Sequence, residues 1–96
     1  MNIRLLDIAC IELEDAIGYY NDECPGLGYE FADEVLRTIR RVCENPTAWK
    51  SLSARTRRSL LHRFPYGVIY QIRADELLVV SIMHLHRHPD SWNHTS

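Results

Sequence analysis

The chain has 96 residues, of which 46% are hydrophobic and 25% charged, and its formal net charge is −2. This length and composition predict one globular domain over residues 1–96 with a single core. No apolar run approaches the roughly 20 residues that span a bilayer, and the N-terminus lacks a basic-then-apolar signal pattern. We therefore expect a cytoplasmic protein with no membrane partner. The three cysteines show no CxxC spacing, which argues against a disulfide framework.

The net charge conceals an asymmetry between the two halves of the chain. Residues 1–48 carry ten acidic and four basic side chains, a balance of −6, whereas residues 49–96 carry seven basic and three acidic ones, a balance of +4. All five histidines lie in the second half. A basic half predicts an anionic partner on one face, although a solvated charged surface explains the same asymmetry.

The first half predicts a strand followed by two helices. Residues 2–6 are β-competent, and Asp7 is a candidate cap for a first helix. A turn at residues 25–28 leads into a second helix over residues 27–44, which Asn45-Pro46 ends. A helical hairpin on one sheet face buries both apolar stripes. The apolar residues expected between hairpin and sheet are Leu13, Ile17, Tyr20, Phe31, Val35 and Ile39.

The second half predicts a meander of three strands. Residues 47–56 are expected to form a loop anchored by Trp49, and residues 58–73 are typical of strand, short connection and strand. In the first of these strands, Leu60, His62 and Phe64 are expected to share one apolar edge. A third strand over residues 77–83 is apolar on both faces. Since the hairpin covers only one face, we expect an exposed apolar patch on the other.

Motifs along nearly the whole chain occur in an order shared with one protein family. They are Tyr19-Tyr20, Pro25-Gly26-Leu27-Gly28 with Phe31, Asn45-Pro46 with Trp49, Arg63-Phe64-Pro65-Tyr66 with Tyr70, and His84, Arg87, Pro89 and Trp92. Together they resemble the RelE/ParE toxins of bacterial type II toxin–antitoxin systems, and the ParE-like, plasmid-stabilisation branch in particular. The resemblance implies an α+β fold of order β-α-α-β-β-β, a helical hairpin packed on a small, mainly antiparallel sheet.

The resemblance also implies growth inhibition, a cognate antitoxin as partner, and contact with DNA only through that antitoxin. Toxins of the RelE type cut mRNA on the ribosome, whereas those of the ParE type poison DNA gyrase and cut nothing themselves. The RelE-type ribonucleases resemble one another in using loop lysines, a middle-strand arginine, a late arginine and a C-terminal tyrosine. Here Arg87 fits the late arginine, but Gly67 aligns with the middle-strand arginine, Trp92 lies near the tyrosine position, and the loop offers only Lys50.

These departures favour a ParE-like toxin that binds gyrase. Two alternatives remain open, a RelE-like endoribonuclease and a non-toxic antitoxin-binding module. The candidate catalytic residues of a nuclease are His62, Arg63, His84 and Arg87, because imidazole titrates near neutral pH and arginine binds phosphate. The residues expected to contact target or antitoxin are Arg57, Arg58, Arg63, Tyr66, Arg87 and Trp92.

Two further patterns have more than one interpretation. One pattern is a basic strip beside two aromatic residues, which consists of Arg55, Arg57, Arg58 and Arg63 with Trp49 and Tyr66. The strip could bind nucleic acid, with bases stacked on the aromatic rings. It could also bind an acidic segment of the antitoxin, which is the interpretation we favour. His84, His86 and His88 would share one face of an extended strand and could bind zinc or nickel, but Pro89 breaks the geometry just beyond. We therefore predict neither a metal nor a cofactor.

Overall fold

A computed structural model describes residues 1–86. The elements are β1 (Asn2–Leu5), α1 (Asp7–Glu23), α2 (Leu27–Glu44), β2 (Lys50–Ser51), β3 (Thr56–Leu60), β4 (Tyr66–Arg73) and β5 (Glu76–His84). The strands form one five-stranded sheet of order β1-β5-β4-β3-β2. Only β1 and β5 pair in parallel within this sheet, and the helical hairpin packs on one of its faces. The predicted α+β architecture is confirmed.

Two local predictions in the connections are wrong. Asp7 does not cap α1, because Leu6 occupies the cap position without a side-chain hydrogen bond and Asp7 lies in the first turn. There its carboxylate still lies near the positive end of the helix dipole. The loop predicted for residues 47–56 contains β2, which pairs with β3. Trp49 does anchor this segment, since its half-buried ring packs against the core.

The apolar edge predicted for the first meander strand is not the edge that the fold buries. Ser59 and Leu61 are buried, whereas the Leu60 side chain is 45% exposed and His62 is exposed. The reason is register, because Ser59 lies opposite Val68, whose side chain belongs to the core. A shift of one residue moves every side chain of a strand to the other face. Phe64 is nevertheless buried, because the strand has already ended at Leu60.

The core lies between α2 and the central strands, as predicted. Phe31, Val35 and Ile39 of α2 are buried in one cluster with residues of β4 and β5, and the predicted α1 residues pack on this core while partly buried. The strand residues of the core are Tyr66, Val68, Tyr70, Leu77, Val79 and Ile82. No helix within residues 1–86 has the length and apolar character that crossing a bilayer requires.

The predicted apolar patch on the outer face of β5 is not observed. Ile69 of β4 and Leu78 of β5, which lie on the face opposite the helices, are both buried. Arg58 covers part of this face, because its aliphatic carbons lie within 3.4 Å of the position that a Cβ atom at Gly67 would occupy. Long basic side chains commonly cover apolar surface in this way. The exposed large apolar side chains of β1 and α1 are Ile3, Ile8, Ile11 and Tyr19.

A bulge in β5 is tied to α1 by one carboxylate. Tyr70 lies opposite Val79 but Ile69 lies opposite Ser81, so one residue of β5 has no partner and the ladder is interrupted. A Glu12 Oε1 atom accepts hydrogen bonds from the Ser81 hydroxyl at 2.8 Å and from the Ile82 N–H at 3.0 Å. Glu12 therefore satisfies the main-chain N–H of Ile82, two residues beyond the unpartnered Val80.

We expect Glu12→Ala to lower the free energy of unfolding by about 1–3 kcal/mol, because the Ile82 N–H then lacks its acceptor. Chemical denaturation followed by circular dichroism measures this loss. Glu14→Ala is the matched control, since it removes the same charge from an exposed position of α1. Equal stability of the two variants would contradict a role for Glu12 at the bulge.

Candidate interaction surfaces

The β3–β4 connection, residues 61–65, is held against α2 by two carboxylates. Glu34, which is buried, accepts a hydrogen bond from the Arg63 main-chain N–H at 2.7 Å. Glu30 pairs with the Arg63 guanidinium at 2.9 Å, on the exposed surface. Arg63, predicted as a contact residue and as a catalytic candidate, therefore also fastens this connection to α2.

Tyr66, predicted as a contact residue, lies in an aromatic cluster and is only 3% exposed. Its ring centroid lies 4.8 Å from that of Phe31 and 4.9 Å from that of His84. Tyr20 and Phe64 complete the cluster. Tyr66 also lines a groove that lies between α1 and β5.

That groove encloses about 380 Å³ and has an apolar wall with acidic side chains beside it. Ile8, Ile11 and Tyr19 contribute to the wall from α1, and each of these side chains is about half exposed. Glu12 and Asp15 supply the acidic groups. The groove thus offers exposed apolar area that a partner helix or segment could cover.

Arg57 and Arg58 point to opposite faces of the sheet, since neighbouring residues of a strand alternate. The Arg57 guanidinium donates to the main-chain oxygens of Thr47 at 3.3 Å and Trp49 at 2.8 Å. Beside it, the Tyr70 hydroxyl donates to the Pro46 oxygen at 2.7 Å. Burial raises the pKa of this hydroxyl, and the positive charge of Arg57 partly offsets that rise.

Arg58 belongs to a second pocket, on the outer side of β2 and β3. This pocket encloses about 580 Å³, and its basic and imidazole side chains are Lys50, Arg58 and His62. The Arg58 Nε atom is buried and has no hydrogen-bond partner among residues 1–86. Trp49 and Leu60 supply apolar area to the same pocket.

A third pocket, of about 490 Å³, lies where the β2–β3 and β4–β5 turns meet, and three arginines line it. They are Arg55, Arg57 and Arg73, with Thr47, Tyr70 and Ile72 among the other lining residues. The strip predicted from the sequence is thus divided, because Arg58 and Arg63 lie elsewhere. Arg73 was not among the predicted contact residues. Arg73 lies near Arg55 because β3 and β4 are antiparallel, with Thr56 opposite Gln71. A predicted register for these two strands could have indicated this.

The histidines proposed for a nuclease lie in different pockets. His62 lines the outer pocket, whereas His84 lines the groove beside α1. His84 also lies 5.8 Å from His86, between ring centroids, and its Nδ1 accepts the His86 main-chain N–H. Within residues 1–86 no group of three potential metal ligands occurs. The predictions that concern Arg87, His88 and Trp92 lie outside the described residues.

Comparisons with known proteins agree with this architecture. Residues 3–89 match a family model described as the ParE toxin of the type II toxin–antitoxin system, parDE. A solved structure titled "Chromosomal ParDE TA system from P. aeruginosa" superposes with a TM-score of 0.78. It is 16% identical, and the match covers 90% of this chain and 97% of that chain. A search of curated proteins found no significant match.

Proposed function

The chain belongs to the ParE toxin family of type II toxin–antitoxin systems, and from this premise we propose that it inhibits growth by binding DNA gyrase. A cognate antitoxin neutralises it in this proposal, and DNA is contacted only through that antitoxin. The site of action is the cytoplasm, where gyrase works. The family predicted from the sequence motifs is confirmed.

The dispersal of the candidate catalytic groups supports action by contact. RNA cleavage needs a base, a phosphate-binding cation and an acid within hydrogen-bond reach of one phosphodiester. His62 and His84 line separate pockets, and Arg63 is paired with Glu30. Contact with a large target requires no such convergence, since a few arginines and aromatic residues carry most of the energy of an interface.

The exposed apolar wall of the α1 groove supports the antitoxin as partner. Ile8, Ile11 and Tyr19 leave about half of each side chain in water on one helix. Contiguous exposed apolar surface of this kind marks protein interaction sites. An antitoxin segment that covers the wall would remove this area from solvent.

An endoribonuclease is the second candidate function, and one observation favours it. Arg58 crosses above Gly67, so a cationic side chain lies where the middle-strand arginine of RelE-like ribonucleases aligns. His62 and Lys50 line the same pocket. A phosphate-binding cation and an imidazole are therefore close together on the outer face of the sheet.

Controlled expression of the toxin in a susceptible bacterium separates these functions. If the protein poisons gyrase, we expect DNA breaks, and Arg87→Ala should weaken binding to purified gyrase by roughly 10- to 100-fold. Trp92→Ala should also reduce toxicity, while His62→Ala and His84→Asn should retain it. If the protein is a nuclease, mRNA fragments should appear, and His62→Ala should lower the cleavage rate by about 10²–10⁴.

Arg63 requires its own control because it is part of an ion pair. Glu30→Ala breaks the same pair without removing the cation. If Arg63 contacts the target, Arg63→Ala should reduce toxicity and Glu30→Ala should not. Equal loss in both variants, with equal thermal stability, would contradict a contact role for Arg63. Intact DNA and intact mRNA during growth arrest would contradict both candidate functions.

A further inference from the structure

We infer that the pocket of Arg55, Arg57 and Arg73 binds carboxylates of an acidic, extended segment of the antitoxin. This inference rests on the proposed function, which supplies the partner, but its physical basis is the pocket itself. Three guanidinium groups belong to residues around one cavity of about 490 Å³. No acidic residue is among the residues described as lining it.

The positive charge of the pocket is not neutralised by carboxylates of the described chain. The ion pairs found within residues 1–86 join Arg4 to Glu76 and Arg63 to Glu30, so they include none of the three arginines. Arg55 is exposed. Arg73 donates only its Nε to the Gln71 side-chain oxygen, at 3.0 Å. An incoming oxyanion therefore displaces no carboxylate and meets donors that are still available.

Arg57 is the pre-organised member of this group. Two main-chain oxygens, of Thr47 and Trp49, hold its guanidinium through one nitrogen, and both are uncharged acceptors. Arg57 is half-buried, so its charge is less screened than those of the two exposed arginines. A fixed guanidinium loses less side-chain entropy when it binds a carboxylate.

Two observations favour an acidic peptide over a nucleic acid. The aromatic side chain at the pocket, Tyr70, is fully buried and its hydroxyl is bonded to Pro46, so it offers no face on which a base could stack. α1 carries six acidic residues and no basic one, so a long polyanion that extended from the pocket onto this helix would be repelled. A short acidic segment can occupy the pocket without reaching α1, because no residue of α1 is among those that line it.

The sheet edge beside the pocket suits an extended peptide. β2 is the last strand in the order β1-β5-β4-β3-β2, so within residues 1–86 one of its edges has no strand partner. The turn between β2 and β3 carries Ala54 and Arg55 into the pocket wall. A peptide that pairs with β2 would therefore run past the arginines, and its main-chain hydrogen bonds would add to the ionic contacts.

The test uses fluorescence anisotropy with two labelled probes, hexaglutamate and a six-nucleotide single-stranded DNA. The double variant Arg55→Ala/Arg73→Ala is compared with wild type and with Arg37→Ala/Arg40→Ala, which removes two exposed arginines from α2. We expect hexaglutamate to bind the wild type and the α2 control equally, and the pocket variant at least about tenfold more weakly. Circular dichroism confirms that all three proteins are folded.

The same three proteins are then titrated with the purified antitoxin. A tenfold or greater loss confined to the pocket variant supports the inference. Equal antitoxin affinity in all three overturns it and leaves the proposed function intact, whereas no antitoxin binding to wild type overturns the proposed function. Pocket-dependent binding of the oligonucleotide in preference to hexaglutamate would instead identify a nucleic-acid site and overturn the peptide assignment.

Discussion

Replacing Phe31 by alanine is expected to lower the free energy of unfolding by about 3–5 kcal/mol. The Phe31 side chain is 0% exposed, and its ring centroid lies 5.3 Å from that of Tyr20 and 5.1 Å from that of Phe64. The substitution removes a ring that joins both helices to the β3–β4 connection. This loss is a large part of the roughly 5–15 kcal/mol that stabilises a typical domain. Urea denaturation followed by circular dichroism measures it.

Tyr29→Ala is the matched control for Phe31→Ala, because it removes an aromatic ring from the same helix. Tyr29 is 69% exposed, so its loss should change stability by no more than about 0.5 kcal/mol. Similar stabilities for the two variants would show that the buried face of α2 is assigned wrongly.

Gly28→Ala is expected to destabilise the protein by about 3 kcal/mol, the upper end for overpacking. A methyl group at Gly28 would overlap the Ile17 main-chain oxygen and approach the Asn21 Cγ to 2.7 Å. The Asn21 side-chain oxygen also accepts the Gly28 N–H at 2.8 Å, and this bond fixes α1 against the start of α2. Relief of the overlap requires the helices to move apart, since a main-chain atom cannot rotate away.

Gly18→Ala is the opposite case on the same hairpin. Apart from its chain neighbours and the backbone of its own helix, no atom of the described residues lies within 4 Å of where its methyl group would begin, and the residue is exposed inside α1. Alanine should therefore stabilise the helix by about 0.5–1 kcal/mol. Thermal melts of both variants test the pair, and an unchanged melting temperature for Gly28→Ala would contradict the close approach of the helices.

The local pattern of the sequence was sufficient to predict the two helices and much of the core. A stripe of apolar residues at helical spacing, together with Asn45-Pro46, predicts α2 over the residues where it occurs, because both signals act within one or two turns. The order of motifs from Tyr19 to Trp92 was sufficient to predict the family, and the match to the family model confirms that prediction.

The prediction of the candidate site was less complete. The sequence indicated Arg57 and Arg58 as contact residues, but not that they face opposite sides of the sheet in separate pockets. It did not include Arg73 among them. Arg63 was assigned to a partner, whereas in the fold it is also bound to Glu30. The distribution of charge along the chain predicts a basic half. Which basic side chains share a pocket depends on how the strands pair.

Only the tertiary structure decided which face each strand presents. Leu60 has the residue type of a core position, yet it lies opposite Gly67 on the outer face, because cross-strand register sets the inward residues of β3. Glu12 has the residue type of a surface position, yet it accepts a hydrogen bond from the Ile82 N–H, 70 residues away along the chain. Helices are determined by neighbours a few residues apart, whereas register, bulges and shared pockets depend on partners that only the folded chain brings together.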